Sequence, residues 1–222
     1  MKILIICQYY YPEPFRISDI CETLSQRGHE ITVLTGLPNY PEGKVPKEYR
    51  YGKKRMEMIN GVKVIRVFEI SRGRGHLKRF LNYCSFALST TVKVLFIKEE
   101  FDVVFVNQLS PVLMGIPAVF YKKKYKKKML LYCLDLWPES LVAGGIKKNS
   151  FIYNLFLKIS KWIYEAADMI FVTSSMFRDY FEKILLMNTD NIEYLPQYAE
   201  DLFIQNIISK KDDKYHFVFA GN

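Results

Sequence analysis

Short apolar runs alternate along this chain with longer segments of helical period, and that alternation constrains the fold more than any other feature. The runs KILIIC from Lys2, EITVLT from Glu30, VKVIRVF from Val62, FDVVFVN from Phe101, KMLLYCL from Lys128 and MIFVTSS from Met169 are rich in β-branched residues. Most lack a polar face, as strands buried on both sides do in a parallel sheet. Between them, Ile17, Ile20, Cys21 and Leu24 recur at i, i+3, i+4 and i+7. Leu77 to Lys98 reads as a long helix, PVLMGIPAVFY as a helix with Pro111 near its first turn, and MFRDYFEKIL as another. A further helix carries Phe151, Leu155, Ile159 and Ile163 at helical spacing. Repeated βαβ order predicts an α/β fold, a Rossmann-like parallel sheet with helices on both faces. In such sheets ligands bind at the carboxyl ends of the strands, near the point where strand order reverses.

One stretch resists regular structure. Between Gly36 and Asn60 the sequence GLPNYPEGKVPKEY carries three prolines and two glycines, so a long connection is expected there. Connections of that length inside a compact domain tend to be functional or disordered.

With 222 residues and 50% hydrophobic content, the chain suits one sizeable packed domain. Its apolar start is too short for a signal peptide, and no segment reaches the roughly 18 apolar residues of a membrane span. Four cysteines without CxxC or metal-ligand spacing fit a reduced, cytoplasmic chain with no metal site. The net charge of +9 is concentrated in YKKKYKKK, with six lysines between Lys122 and Lys128. That run reads as a solvated helix end or as a contact for an anionic membrane surface, with peripheral attachment to the inner face of the plasma membrane. Aromatics interleaved with basic residues are missing, so no nucleic-acid partner is expected.

Candidate site residues follow from the strand-end rule. Asp135, after MLLYCL, is placed in the crevice, and Glu139 stands at a helix start where Pro138 suits the first turn. The alternative for this pair is that Asp135 bonds the turn and Glu139 caps the helix. Asn107 ends the strand FDVVFVN, and Arg16 sits in a strand-to-helix turn where it could pair with a phosphate or remain an ordinary exposed arginine. That turn lacks GxGxxG, and SRGRGHLKR lacks the lysine-hydroxyl pair of a nucleotide-binding P-loop. It reads instead as a mobile basic loop near phosphates. His29 and His76 have no triad partners and no serine lies in a GxSxG elbow, so hydrolase chemistry has no support.

The combination of YYPEP, RGHEITVLTGLPNYPEGK, DLWPES and YEAADMIFVTSS resembles the amino-terminal half of family 4 glycosyltransferases. The resemblance runs from Met1 to Asn222 and is nearest to the bacterial N-acetylfucosaminyl transferases of capsule and O-antigen synthesis. It implies the amino-terminal domain of a GT-B fold that holds the acceptor, with transfer retaining anomeric configuration, no cofactor, and a nucleotide-sugar donor as substrate. It implies substrate contacts at Arg16, Asn39, Tyr40, Asn107, Asp135 and Glu139, and a lipid-linked or glycan acceptor. Two departures stand out. Leu134 occupies the position where many relatives have a sugar-contacting His, and Pro14, Phe15 and Arg16 replace a frequent Gly-Gly pair.

The resemblance also sets domain expectations: residues 1–195 as the acceptor domain, 196–214 as a connector, and 215–222 (YHFVFAGN) as the first strand of a second domain that is missing. The family's donor-gripping glutamate pair would lie beyond that strand, so the chain alone is expected to show no transfer. Three readings stay open: an acceptor-binding half, one subunit of a split enzyme with a donor-domain partner chain, and a non-catalytic remnant or binding module.

Overall fold

The structure is a computed structural model that describes residues 1–198. Its strands are β1 (Lys2–Ile6), β2 (Glu30–Thr35), β3 (Met56–Ile59), β4 (Val62–Arg66), β5 (Val103–Gln108), β6 (Lys128–Cys133), β7 (Met169–Val172) and β8 (Ile192–Tyr194). Its helices are α1 (Ile17–Gln26), α2 (His76–Phe96), α3 (Ile116–Tyr125), α4 (Glu139–Ala143), α5 (Phe151–Ala166) and α6 (Met176–Lys183). Of the expected connector at 196–214 only residues 196–198 are described; the rest of it and the second-domain strand expected at 215–222 lie outside the described residues.

All eight strands join one sheet in the order β3-β4-β2-β1-β5-β6-β7-β8. Every neighbouring pair is parallel except β3 and β4, which are antiparallel at one edge. Alternate strand residues feed two cores. Leu4, Ile6, Leu34, Val104 and Leu131 pack under α2, α3, α5 and α6, while Ile3, Ile5, Val33 and Val64 pack against Ile17 and Cys21 of α1. Helices therefore cover both faces, as the continuous apolar runs require. Order reverses at β1, whose neighbours β2 and β5 lead away in opposite directions. The carboxyl ends of β1 and β5 consequently splay apart and leave a crevice.

The structure corrects the sequence reading at three places. First, the Gly36-to-Asn60 connection is not wholly irregular, because it holds a 3-10 turn at Lys47–Tyr49 and the edge strand β3. Asn60 and Gly61 both have positive φ, 48° and 82°, and these values let a two-residue Asn-Gly turn close the β3/β4 hairpin. Second, Phe151 and Leu155 of α5 are exposed, and the buried face is Tyr153, Phe156, Ser160, Ile163 and Tyr164. Apolar residues occupy both sides of that helix, so spacing alone does not say which side meets the sheet. Third, the segment after Pro111 begins as a 3-10 turn at Val112–Gly115, and α3 then runs on through Lys122, Lys123 and Lys124. Lys126 ends the helix in the left-handed region at φ 57°. Part of the lysine run is thus a helix end, with Lys122 Nζ donating to Asp168 at 2.6 Å and to the Ala166 carbonyl at 2.8 Å.

Candidate functional site

A pocket of about 210 Å³ opens at the reversal point, walled by the turn after β1, the amino end of α1, and the ends of β5 and β6. Phe15, Ile17, Leu109, Tyr132 and Leu134 make it largely apolar, and Arg16, Asn107, Gln197 and Tyr198 supply polar groups. Strand order explains this grouping: residues far apart in sequence share one sheet edge because β1, β5 and β6 are neighbours.

Asn107 is 3% exposed and lines the pocket, yet its carboxamide has no hydrogen bond to any described residue. Its amide atoms are reached from the pocket, where water or a ligand can bond them. Arg16, the residue before α1, donates to the Tyr198 carbonyl and stands 4.8 Å from the centre of the Tyr198 ring. Tyr198 in turn donates to Asp19 at 3.1 Å, so Arg16 joins the pocket mouth to the segment leaving β8. Leu134 lines the same pocket with an apolar side chain.

Asp135 and Glu139 do different work. Asp135 Oδ1 accepts from Ser140 Oγ at 2.5 Å, its Oδ2 accepts from Ser110 Oγ, and Trp137 Nε1 donates to the same Ser110 hydroxyl at 3.0 Å. Its carbonyl accepts from Gln108 Nε2 at 2.9 Å. These bonds tie the ends of β5 and β6 to α4. Glu139, the first residue of α4, accepts from the Tyr153 hydroxyl at 2.8 Å and pairs with Lys148 at 3.0 Å. The DLWPES crowd is therefore an internal brace that holds the crevice wall, with Trp137 packed on Phe156 at 5.3 Å between ring centres.

Asn39 and Tyr40 belong to a second arrangement beside the crevice. Asn39 is 2% exposed; it donates to the Leu37 carbonyl at 2.8 Å and to Glu69, and accepts from the Arg72 amide at 3.0 Å. Glu13 Oε1 accepts the backbone amides of Asn39 and Tyr40 at 2.9 and 2.6 Å. The two carboxyl groups thereby fix the loop after β2. Burial pushes both above the usual carboxylate range, most for Glu69, against the opposing pull of their amide donors.

So held, Tyr40 meets Phe15 at 5.3 Å and Tyr9 at 5.8 Å, and Tyr9 stacks on Phe15 at 4.9 Å. The Arg72 guanidinium lies 5.4 Å from the Tyr40 ring centre and 6.0 Å from that of Tyr83, and donates to the Tyr9 hydroxyl at 3.2 Å. Burial raises the Tyr9 and Tyr83 phenols above their ordinary values, so both stay protonated and able to donate. Of the six expected residues, the structure brings Arg16 and Asn107 into the pocket, puts Tyr40 on its flank, and uses Asn39, Asp135 and Glu139 as braces. Sequence reasoning did not offer Tyr9, Arg72, Tyr83 or Tyr132 as site residues, and it named Phe15 only as part of a departure from the family pattern. The signal for them was their place in strand-end turns, for Tyr132 near the end of β6, and for Tyr83 on helix α2.

Among the described residues, no group of three or more His, Cys, Asp or Glu stands close enough to hold a metal ion, and no helix is long and apolar enough to cross a membrane.

Comparisons with known proteins agree with this geometry. No curated protein matches the chain in sequence. Solved structures do match in fold. The chain aligns with Anabaena Alr3699/HepE in complex with UDP and glucose at TM-score 0.52 and 12% identity, covering 90% of this chain and 45% of that one. Apo UGT2 of Phytolacca americana aligns at TM-score 0.53 and 10% identity, covering 92% and 54%. Arabidopsis thaliana UGT89C1 complexed with UDP-L-rhamnose aligns at 0.52 and 10%, covering 92% and 53%. The chain thus spans about half the length of these structures, and its fold is that of the amino-terminal domain of GT-B glycosyltransferases. The model of Glycosyltransferase Family 4 matches residues 16–197, which hold every strand but β1 and most of the pocket lining, and the chain belongs to that family.

Proposed function

We propose that this chain holds the acceptor in a sugar transfer whose donor is a nucleotide-sugar. The observation that carries the reading is Asn107: a carboxamide with no hydrogen bond to a described residue, opening onto a largely apolar pocket at the sheet's reversal point. A carboxamide both donates and accepts, which suits a sugar hydroxyl, while Phe15 and Tyr132 offer faces for a sugar ring. Arg16 at the mouth adds a planar cation suited to a phosphate on the acceptor. The structures that share this fold include proteins bound to UDP with glucose and to UDP-L-rhamnose, and that supports a nucleotide-sugar as donor here. The finer reading is retaining transfer to a lipid-linked or polysaccharide acceptor in capsule or O-antigen synthesis. In it residues 1–195 form the acceptor domain, 196–214 lead away, and 215–222 begin the donor-binding part, whether in this chain or in a partner.

Isothermal titration of the 222-residue chain with a water-soluble sugar phosphate analogue of the acceptor tests the reading. Binding is expected in the parent and is expected to weaken about tenfold in Asn107→Ala, the loss of one buried hydrogen bond, with melting temperature unchanged. Tight binding of a nucleotide-sugar with no acceptor binding would overturn it.

A further inference from the structure

Helix α2 has two apolar faces, and among the described residues only one of them is packed against the rest of the domain. Phe86, Ala87 and Val94 are buried against the sheet. On the opposite side Leu77, Leu81, Leu88, Val92 and Phe96 are between 40% and 79% exposed. Their spacing keeps them on one stripe along a helix about 31 Å long. The outward side of a surface helix is ordinarily polar, and a contiguous apolar stripe of this length marks contact with a second apolar phase.

Charge identifies that phase. No acidic residue lies between Glu69 and Glu99, while that interval holds six arginines and lysines. Arg74, Lys78 and Arg79 are exposed at the amino end of α2. Lys98 and Lys124 are exposed at its other end, where Lys124 Nζ donates to the Leu95 carbonyl. In a second copy docked along the stripe, like charges would face one another at both ends. An anionic headgroup layer instead neutralises both clusters while the stripe enters the acyl boundary.

We propose that the outward face of α2 docks this protein flat on a bilayer bearing anionic lipids. Because α2 starts beside Arg72 and carries Tyr83, docking sets the crevice edge at the lipid surface. The role given to that placement rests on the lipid-linked acceptor reading above; the docking itself does not. The same helical layer continues through α3 to α5, where Lys123 lies 5.4 Å from the ring centre of the half-exposed Trp162, a pairing suited to the headgroup region.

Vesicle flotation of the 222-residue chain, without sugar or nucleotide, tests the proposal. Phosphatidylcholine vesicles with phosphatidylglycerol are compared with phosphatidylcholine alone. Binding is expected only to the anionic vesicles, falling as salt rises. The exposed double variant Leu88→Glu/Phe96→Glu is expected to lose binding while keeping its circular dichroism. The triple variant Arg74→Gln/Lys78→Gln/Arg79→Gln should weaken binding about five-fold per cation removed. Equal binding to both vesicle types, or unchanged binding in either variant, would overturn the proposal. So would a parent dimer that the double variant splits, seen by sedimentation with no vesicle binding. Flotation that persists while acceptor titration fails would sink the acceptor reading and leave the docking surface standing.

Discussion

Gly36 closes β2 and turns the chain into the LPNYPEG loop, its amide donating to the Gln8 carbonyl at 3.1 Å. A Cβ there would stand 2.6 Å from Glu69 Cδ and Oε2 and 2.7 Å from Oε1, where ordinary contact begins near 3.4 Å. Gly36 is not among the positive-φ glycines, so the constraint is space and not backbone strain. The carboxyl has nowhere to go: Glu69 is 2% exposed, and its oxygens accept from Gln8 Nε2 at 3.1 Å and from Asn39. Gly36→Ala is therefore expected to cost about 1 to 3 kcal/mol, as overpacking does. For a chain of this size that lowers the melting temperature by about 2 to 12 °C. Thermal unfolding followed by circular dichroism reads the loss. Glu69→Asp withdraws the carboxyl by one methylene, so the Gly36→Ala/Glu69→Asp double variant should be less destabilised than the sum of the singles, by at least about 0.5 kcal/mol. A neutral Gly36→Ala, or strict additivity in the cycle, would refute the reasoning.

Two further outcomes are expected. Glu69 holds its proton to higher pH in the folded chain than in the unfolded one, where a glutamate titrates near about 4.3. Its contribution to stability is thus full below that value and lost as pH rises through the raised folded pKa. Any stability deficit of Glu69→Gln relative to the parent should accordingly narrow from pH 5 to pH 8 in denaturant titrations; a widening gap would reverse the sign. Burial pushes the Cys7 and Cys133 thiols up to about 12 and raises Cys21, while Cys84 is only half-buried. In the folded chain only Cys84 should react promptly with a maleimide, and all four cysteines after denaturation; two prompt thiols would contradict the buried positions.

DLWPES shows what a motif does and does not disclose. Its position after a buried strand correctly placed Asp135 at the sheet's carboxyl edge, beside the crevice. Whether that carboxylate faces a ligand depends on Ser110 and Ser140, and Ser110 lies 25 residues away on another strand's exit. Asn39 repeats the lesson: LPNYPEG marks the loop, but Glu13 and Glu69 decide that its asparagine points inward. Conversely, Asn107 was legible as a strand-end residue, and that its carboxamide bonds no described residue became visible only in the folded chain.

The sequence by itself determined the architecture of this protein. Continuous apolar runs of about five residues can be buried only between two helical layers, and their alternation with amphipathic segments sets parallel βαβ connections. The Asn-Gly turn at Asn60 and Gly61 is local too, because both residues readily take positive φ, but the sequence reading treated that stretch as irregular connection and the hairpin emerged only from the structure. Tertiary structure alone decided which of two apolar faces on α2 and α5 met the sheet, and which polar groups found partners. Periodicity reports that a face is apolar, but what covers it depends on strand order and on side chains distant in sequence. The same holds for the crevice, whose walls come from β1, α1, β5 and β6 and exist only once the order reverses at β1.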